Sequence, residues 1–565
     1  MKTALRHPSA SSLPRTSFAR RAGYAFLLAA CLTFGAEVRA TTYYVHPKAG
    51  DDHSSGTSSE SPWKTLEKVN TVSLQAGDRV LLAAGETFHG QLAFAGLSGR
   101  KDAPITFSSY PAADVAGGRR ASIDGRGYVA AIYLKNSRYV QIRNLTVTAD
   151  GGGLLKGQPV EANMRCGILI QADVAGDYEG VQLSNLGVKN ISYEEPGFVR
   201  PVADLNTANG TIPYGWGIRF MVNTDGAKMR GIEVTDCEIE NVDHTALKFT
   251  GPAESIQDVE VARDRILNSG GPGVQMSGVR GGHFSDLYVN GSGSARDSRN
   301  WARGSGLWTW TTSDVVIEKS QFLNANGPAD SAGVHIDYNC RNVVVQYNLS
   351  VNNAGGFCEI LGNNHNCAYR YNVSVNDGHR IKGQNGAVQE GKTFWLSGFV
   401  GKGPRTGPDN TYFYNNTIYA SEEIVAKIAV AATAKGVLIA NNIFYIKGSS
   451  RMVLGDQMKA DKGKTIDTGQ VIFENNLFLR ADNWPSGVGL TDRAPLMGDP
   501  QFLNAGGLAL ADYTPRNAGL VKDRGIRIPK LPGDDIGLTV GLEAAHDILD
   551  RKISGPPDMG AIEMP

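Results

Sequence analysis

Apolar and polar residues alternate in short runs along most of the chain, and the runs break at Gly, Asn or Asp. The stretch SAGVHIDYNCRNVVVQYNLSVNNAGGFCEILG, residues 331–362, is representative. Alternation with period two predicts strands with one buried face, where a helix would repeat its apolar positions every three to four residues. Several segments share this pattern when aligned: GIEVTDCEIENVDHTALKFTG, DVEVARDRILNSGGPGVQMSG, DVVIEKSQFLNANGPADSAGVHIDY and NVVVQYNLSVNNAGGFCEILG, with later copies at GVLIANNIFYIKG and QVIFENNLFLR. The period is about 22–33 residues, and the longer copies carry insertions at consistent places.

A unit of two or three short strands cannot bury its apolar face alone, so the copies must stack on one another. Stacked coils with three short strands each predict an all-β fold, a right-handed parallel β-helix, with rungs roughly 4.8 Å apart. Asn348, Asn372, Asn416, Asn442 and Asn476 fall at equivalent points of successive copies. There a side-chain amide can donate and accept along the stack, and Asn also tolerates the left-handed backbone of a sharp corner. Residues 41–100 read as an N-terminal cap and first strands, with a short amphipathic helix around WKTLEKVN. Residues 101–480 read as the β-helix, and 481–565 as an irregular C-terminal cap segment.

The copies TALKFTG, PGVQMSG, SGLWTWT, AGVHIDY and GGFCEILG align as one strand column. With Leu247/Phe249, Val274/Met276, Leu307/Thr309 and Val334/Ile336 inward, alternation turns Lys248, Gln275, Ser277, Trp308, Trp310, His335 and Asp337 outward. In GGFCEILG, Cys358 and Ile360 go inward and Glu359 outward, beside Asp337 on the next rung. Two carboxylates so placed would lie roughly 5–7 Å apart. Glycoside hydrolysis needs such a pair flanking the scissile bond, and mutual repulsion raises one pKa to leave an acid beside a base. Asp337 and Glu359 are therefore the candidate catalytic pair, with His335 supporting them. Trp308 and Trp310 suit the C–H faces of sugar rings, because two exposed tryptophans on one strand call for a covering partner. The inserted loop 292–306 is the candidate wall of that groove. Further candidate substrate contacts are Lys248, Gln275, Asn363 and His365 of GNNHN, and Arg380 and Lys382 of the insertion 378–392, the cations suiting substrate carboxylates.

Charge adds exclusions. The 56 basic and 56 acidic residues balance, which argues against a nucleic-acid or anionic-membrane partner. The 68 glycines among 565 residues fit many tight turns. Residues 1–40 read as an export signal: Lys2, Arg6, Arg15, Arg20 and Arg21 precede the apolar run AGYAFLLAACLTFGA, and VRA supplies a cleavage site after Ala40. Release to the periplasm or outside the cell is the leading reading. LAAC ending at Cys31 is the alternative, a lipid-anchored terminus. No later run is long enough to span a bilayer. Five cysteines beyond Cys31 are too few and too odd in number for a disulfide scaffold, and no zinc-type spacing is present.

The N-terminal pattern, the Asn-rich rungs and the closing DMGAIE together resemble secreted bacterial right-handed β-helix proteins of the pectate-lyase-like superfamily, over nearly all of residues 42–565. That resemblance implies polysaccharide lyases, glycoside hydrolases, epimerases or adhesin-like proteins, and fold alone does not choose among them. The expectation is a monomeric, exported enzyme acting on a polysaccharide or oligosaccharide by a carboxylate pair and needing no cofactor or metal. The alternatives are a lyase or epimerase acting on a uronate-containing glycan, the lyase with Ca²⁺ as its cation, and a non-catalytic glycan-binding surface protein.

Overall fold

The computed structural model describes residues 40–111, 119–151, 164–194, 214–294, 304–401, 403–453 and 470–565. The segment read as an export signal, with Cys31, and most of the 292–306 insertion lie outside the described residues. From Ala40 onward the chain forms one compact unit of three long sheets with 15, 12 and 14 strands. Each coil contributes one short strand to each sheet. One such coil runs through Ser313–Glu318, Gln321–Leu323 and Val334–Ile336 before Arg341–Gln346 starts the next. Neighbouring coils pair in parallel, as in Leu247–Thr250 on Val274–Ser277 and Ser313–Glu318 on Arg341–Gln346. The chain is a right-handed parallel β-helix, the hand that parallel crossovers favour.

Burial follows the alternation. Ile218, Leu247, Val274, Leu307 and Val334 stack in register inside the coil, each fully buried. Each such side chain contributes roughly 1.5–3 kcal/mol of burial. The expected asparagine column forms a continuous ladder. Asn348 N–H donates to Asn372 Oδ1 at 3.0 Å, Asn372 to Asn416 at 3.1 Å, Asn416 to Asn442 at 2.9 Å and Asn442 to Asn476 at 3.0 Å. Asp492 accepts the last link from Asn476 N–H at 3.0 Å. The left-handed backbone expected of these asparagines belongs instead to the residue before each: Tyr347, Tyr371, Asn415, Asn441 and Asn475, with φ of 57°, 51°, 52°, 57° and 57°. That residue turns the corner, which leaves the ladder amide free to reach both neighbours.

Both open ends are covered. At the N-terminal end the helix Leu66–Asn70 begins at Thr65, whose hydroxyl accepts from Lys68 N–H, and it buries Leu66 and Val69 in the core. At the other end Trp484 is fully buried, with its ring 4.3 Å from Phe444 and beside Phe473 and Phe478. The irregular tail then folds back over the 15- and 14-stranded sheets. Asp534 accepts from Tyr412 Oη, Gly541 O from Arg370, and Asp558 O from Asn415. Apolar clusters fill the space between tail and sheets. The 12-stranded sheet keeps its outer face away from the tail. Four long connections, 151–163, 193–213, 291–306 and 376–391, all lead from the 14-stranded sheet into it. Cys166, Cys237, Cys340, Cys358 and Cys367 are buried free thiols, and no helix among the described residues is long and apolar enough to cross a membrane.

On the 15-stranded sheet His283 sits between two carboxylates, Nδ1 3.1 Å from Glu260 and Nε2 3.0 Å from Glu318. Partial burial opposes the charged ring, but Glu318 and Glu260 outweigh it and raise its pKa. Stability from this raised group is complete below the unfolded value near 6.5 and disappears as pH rises through the folded value. His283→Gln should therefore lower Tm most below about pH 6.5, with the gap to wild type closing as pH rises. A gap constant from pH 5 to 9 would show that the imidazolium adds nothing.

Candidate active site

The 12-stranded sheet aligns one outward side chain per coil: Arg219, Lys248, Gln275, Trp308 and His335 in register. The pairing Ile336–Ile360 continues the column to Glu359, and Glu359 pairs with Trp395. Cys358 and Ile360 join the core cluster, so Glu359 has the expected parity. Trp308 stacks on His335 at 5.9 Å between centroids with 13° between planes, and meets Trp310 edge-on at 6.5 Å. Trp310 packs in turn on Tyr338. Trp308 Nε1 donates to Asp337 Oδ2 at 2.8 Å, which fixes a half-buried aromatic platform directly against a carboxylate. Asn364, buried at the following corner, donates to the Asp337 carbonyl and accepts from Cys340 N–H.

The structure corrects the expected neighbour of Glu359. Glu359 lies level with His335, Nε2 to Oε2 3.8 Å, and Leu361 lies beside Asp337. The two carboxyl-bearing residues are thus one rung and two positions apart, about 8 Å between Cα atoms on ordinary strand spacings. A slip of two residues keeps every side chain on its face, so the apolar pattern cannot detect it. The ladders can: a 24-residue step joins Asn339 to Asn363, Asn348 to Asn372 and Asn353 to Asp377. The same step takes His335 to Glu359.

Glu359 is 2% exposed, and Oε2 has no hydrogen-bond partner among the described residues. Burial pushes its pKa up, to about 8; Lys392 and Arg380 oppose that shift, while Asp330 and Asp337 add to it. Lys392 is 3% exposed, its Nζ 3.6 Å from the centre of the Trp395 ring, and burial pushes its pKa down. Burial raises one pKa and lowers the other, and the attraction between the two groups opposes both shifts. Asp330, a third carboxylate of the cluster, precedes the strand at a turn where it and Ser331 both adopt left-handed backbone, φ 46° and 64°.

Other expected contacts are reassigned. Arg380 is buried and braces the turn rather than facing a groove: Nη1 donates to Gly327 O at 2.8 Å and Asp330 O at 3.0 Å, and Nε to Gln389 O at 3.0 Å. Lys382 is exposed on the insertion, its backbone N–H bonded to Glu390. Asn363 bonds Asn339, and His365 lies 3.6 Å from Asp409 along the 15-stranded sheet, so neither joins the column. Lys248 and Gln275 keep their places, nearly buried, with Lys248 Nζ over the Trp216 ring at 5.6 Å. Sequence reasoning missed Lys392 and Trp395: the alternation in KTFWL, with Phe394 and Leu396 inward, carries the signal for Trp395, but it gives Lys392 the inward parity and so hides it. It also missed Arg219, between inward Ile218 and Phe220. Among the described residues no group of three His, Cys, Asp or Glu is arranged to hold a metal ion.

Gly356 is essential to this layout. Its φ is 145°, and an added Cβ would lie 2.4 Å from Lys392 O and 2.8 Å from Glu359 Oε1. Gly356→Ala should displace both ends of the Glu359–Lys392 pair and cost about 2 kcal/mol or more in stability. Urea denaturation checks this, and an unchanged midpoint would contradict it.

Residues 216–418 match the family of right-handed β-helix regions. The chain is 24% identical over a 659-position alignment to a lacto-N-biosidase of Bifidobacterium longum subsp. longum. That alignment covers 98% of this chain and 38% of the relative, so the chain spans well under half of that protein's length. Among solved structures, a GH136 lacto-N-biosidase from Eubacterium ramulus superposes with a TM-score of 0.49 at 19% identity, over 73% of this chain and 67% of the other. The pectate lyase Pel9A superposes with a TM-score of 0.36 at 13% identity, over 93% and 96%.

Proposed function

We propose that this chain, a right-handed parallel β-helix protein of the pectate-lyase-like superfamily, is an exported glycoside hydrolase that cleaves an oligosaccharide or polysaccharide with the carboxyl groups of Asp337 and Glu359. One observation carries the reading: a carboxyl whose pKa burial raises, a second carboxyl group pinned by an indole N–H, and stacked aromatic rings lie together on one sheet face. The lacto-N-biosidase relative supports a glycosidase over other carbohydrate chemistry. Glu359 donates its proton to the glycosidic oxygen as the bond breaks. Asp337, its oxygen oriented by Trp308, attacks the anomeric carbon or takes a proton from the attacking water. His335, stacked on Trp308 and facing Glu359, keeps the acid in place, while Trp308 and Trp310 carry sugar rings. The protein works as a monomer, without metal or cofactor.

A second reading exchanges one carboxylate. Paired left-handed residues at Asp330 and Ser331 are a strained backbone of the kind that gathers at active sites. In that reading Asp330 replaces Glu359 as the partner of Asp337, and Glu359 with Lys392 sets the field behind them.

Purified protein incubated with a panel of neutral and acidic glycans, among them a lacto-N-biose-containing oligosaccharide, tests the proposal. Hydrolysis yields a new reducing end without far-ultraviolet absorbance. An unsaturated product would assign a lyase instead, with Ca²⁺ as its candidate cation. Binding without any product would assign a glycan-binding surface protein.

A further inference from the structure

Four rungs from His335, the same outward column carries a charge with no counter-charge among the described residues. Arg219 is 6% exposed and its guanidinium lies over the Trp216 ring at 4.2 Å. Among the described residues its polar contact is Nη1 to the Met164 thioether at 3.4 Å, and Nε has none. Burying an unpaired cation costs several kcal/mol, and nothing in the packing of the core requires an arginine there. Lys248 occupies the next rung and Arg165 the same sheet, so positive charge accumulates at this end of the column. One rung beyond Lys248, Gln275 Oε1 is a buried acceptor without a donor among the described residues. Among the described residues, the Arg219 Nε donor without an acceptor and the Gln275 Oε1 acceptor without a donor therefore stand two rungs apart, about 10 Å, on the face that holds the carboxylates.

We propose that Arg219, seated on Trp216, is a subsite for an anionic sugar, a uronic acid or sulfated residue, whose neighbouring unit donates a hydroxyl to Gln275. This rests on the glycan-cleaving reading for the rest of the chain and adds that the substrate is acidic several sugar units from the scissile bond. A guanidinium suits both anions because its planar fork matches two oxygens of a carboxylate or sulfate.

The test follows Tm of the full chain and of Arg219→Met at constant ionic strength, with galacturonate, galactose 6-sulfate, inorganic sulfate and neutral galactose. The expected result is a saturable rise in wild-type Tm with at least one charged sugar and none with galactose. Arg219→Met should abolish that rise and should itself melt higher than wild type without ligand, because the unpaired charge is gone. An undiminished response in Arg219→Met, a response to inorganic sulfate with none to either sugar, or no response at all overturns the subsite. A variant that melts lower than wild type and a wild type indifferent to every probe would make Arg219 a structural brace. Glycan cleavage is not needed for this measurement, so charged-sugar binding without hydrolysis would reject the hydrolase reading and leave the subsite standing.

Discussion

Glu359→Gln and Asp337→Asn are each expected to lower kcat by about 10²–10⁴-fold on the cleaved glycan. The fold should survive both changes. Burial favours the neutral form of Glu359, and Gln matches that form in shape and charge. Asp337→Asn keeps an oxygen for Trp308 Nε1 to donate to. The pH profile separates catalysis from mere disturbance. An acid with its pKa raised to about 8 is competent below that value and loses its proton above it. Wild-type kcat/KM should therefore hold through neutrality and fall as pH passes about 8, and Glu359→Gln should lose that alkaline limb along with most of its rate. Lys392→Met removes the cation that opposes the shift, so the limb should move to higher pH. Asp330→Asn decides between the two carboxylate assignments: a full loss there with only a modest loss in Glu359→Gln would move the acid to Asp330. Retention of more than a tenth of wild-type kcat in Asp337→Asn would remove Asp337 from the chemistry under either assignment.

The fold was legible because its main constraint is local and repeated. Alternation alone identifies the inward face of every coil from Leu247 to Ile336, and all of those side chains are buried. The ends were partly legible. The capping helix lies within WKTLEKVN, but the burial of Trp484 over the last coil depends on a tail with no periodicity to read. The site divides in the same way. Which residues face outward follows from parity, and Lys248, Gln275, Trp308, His335 and Glu359 were all accessible that way. Which of them touch follows from the coil-to-coil step, which hydrophobicity does not encode and the asparagine ladder does. Arg380 illustrates the remaining gap. A lone arginine in an inserted loop looks available for substrate, and only coordinates reveal that three backbone carbonyls hold it.

The ladder leads to the second large effect, on stability. Asn416 both donates and accepts: Oδ1 receives Asn372 N–H and Nδ2, while Nδ2 gives to Tyr369 O, Tyr414 O and Asn442 Oδ1. Asp492 at the end of the ladder only accepts, from Asn475, Asn476 and Ala494. The same pair of atoms is thus exchanged with opposite consequences at the two places. Asn416→Asp would set a carboxylate oxygen against three acceptors in a dry interior, whereas Asp492→Asn would set one uncharged NH2 group against two N–H donors at the end of the ladder. The first should cost about 3 kcal/mol or more, since an unpaired buried polar group costs about 1–3 kcal/mol and a charged one more. The second should cost about 1–3 kcal/mol, because no charge is introduced. Because stacked coils depend on their neighbours, damage at Asn416 should spread to the coils on both sides. Hydrogen exchange should then show lost protection around Asn372 and Asn442, ahead of the coils near His89 and Asp124. Equal denaturation midpoints for Asn416→Asp and Asp492→Asn would mean that the amide column fills space without carrying a direction.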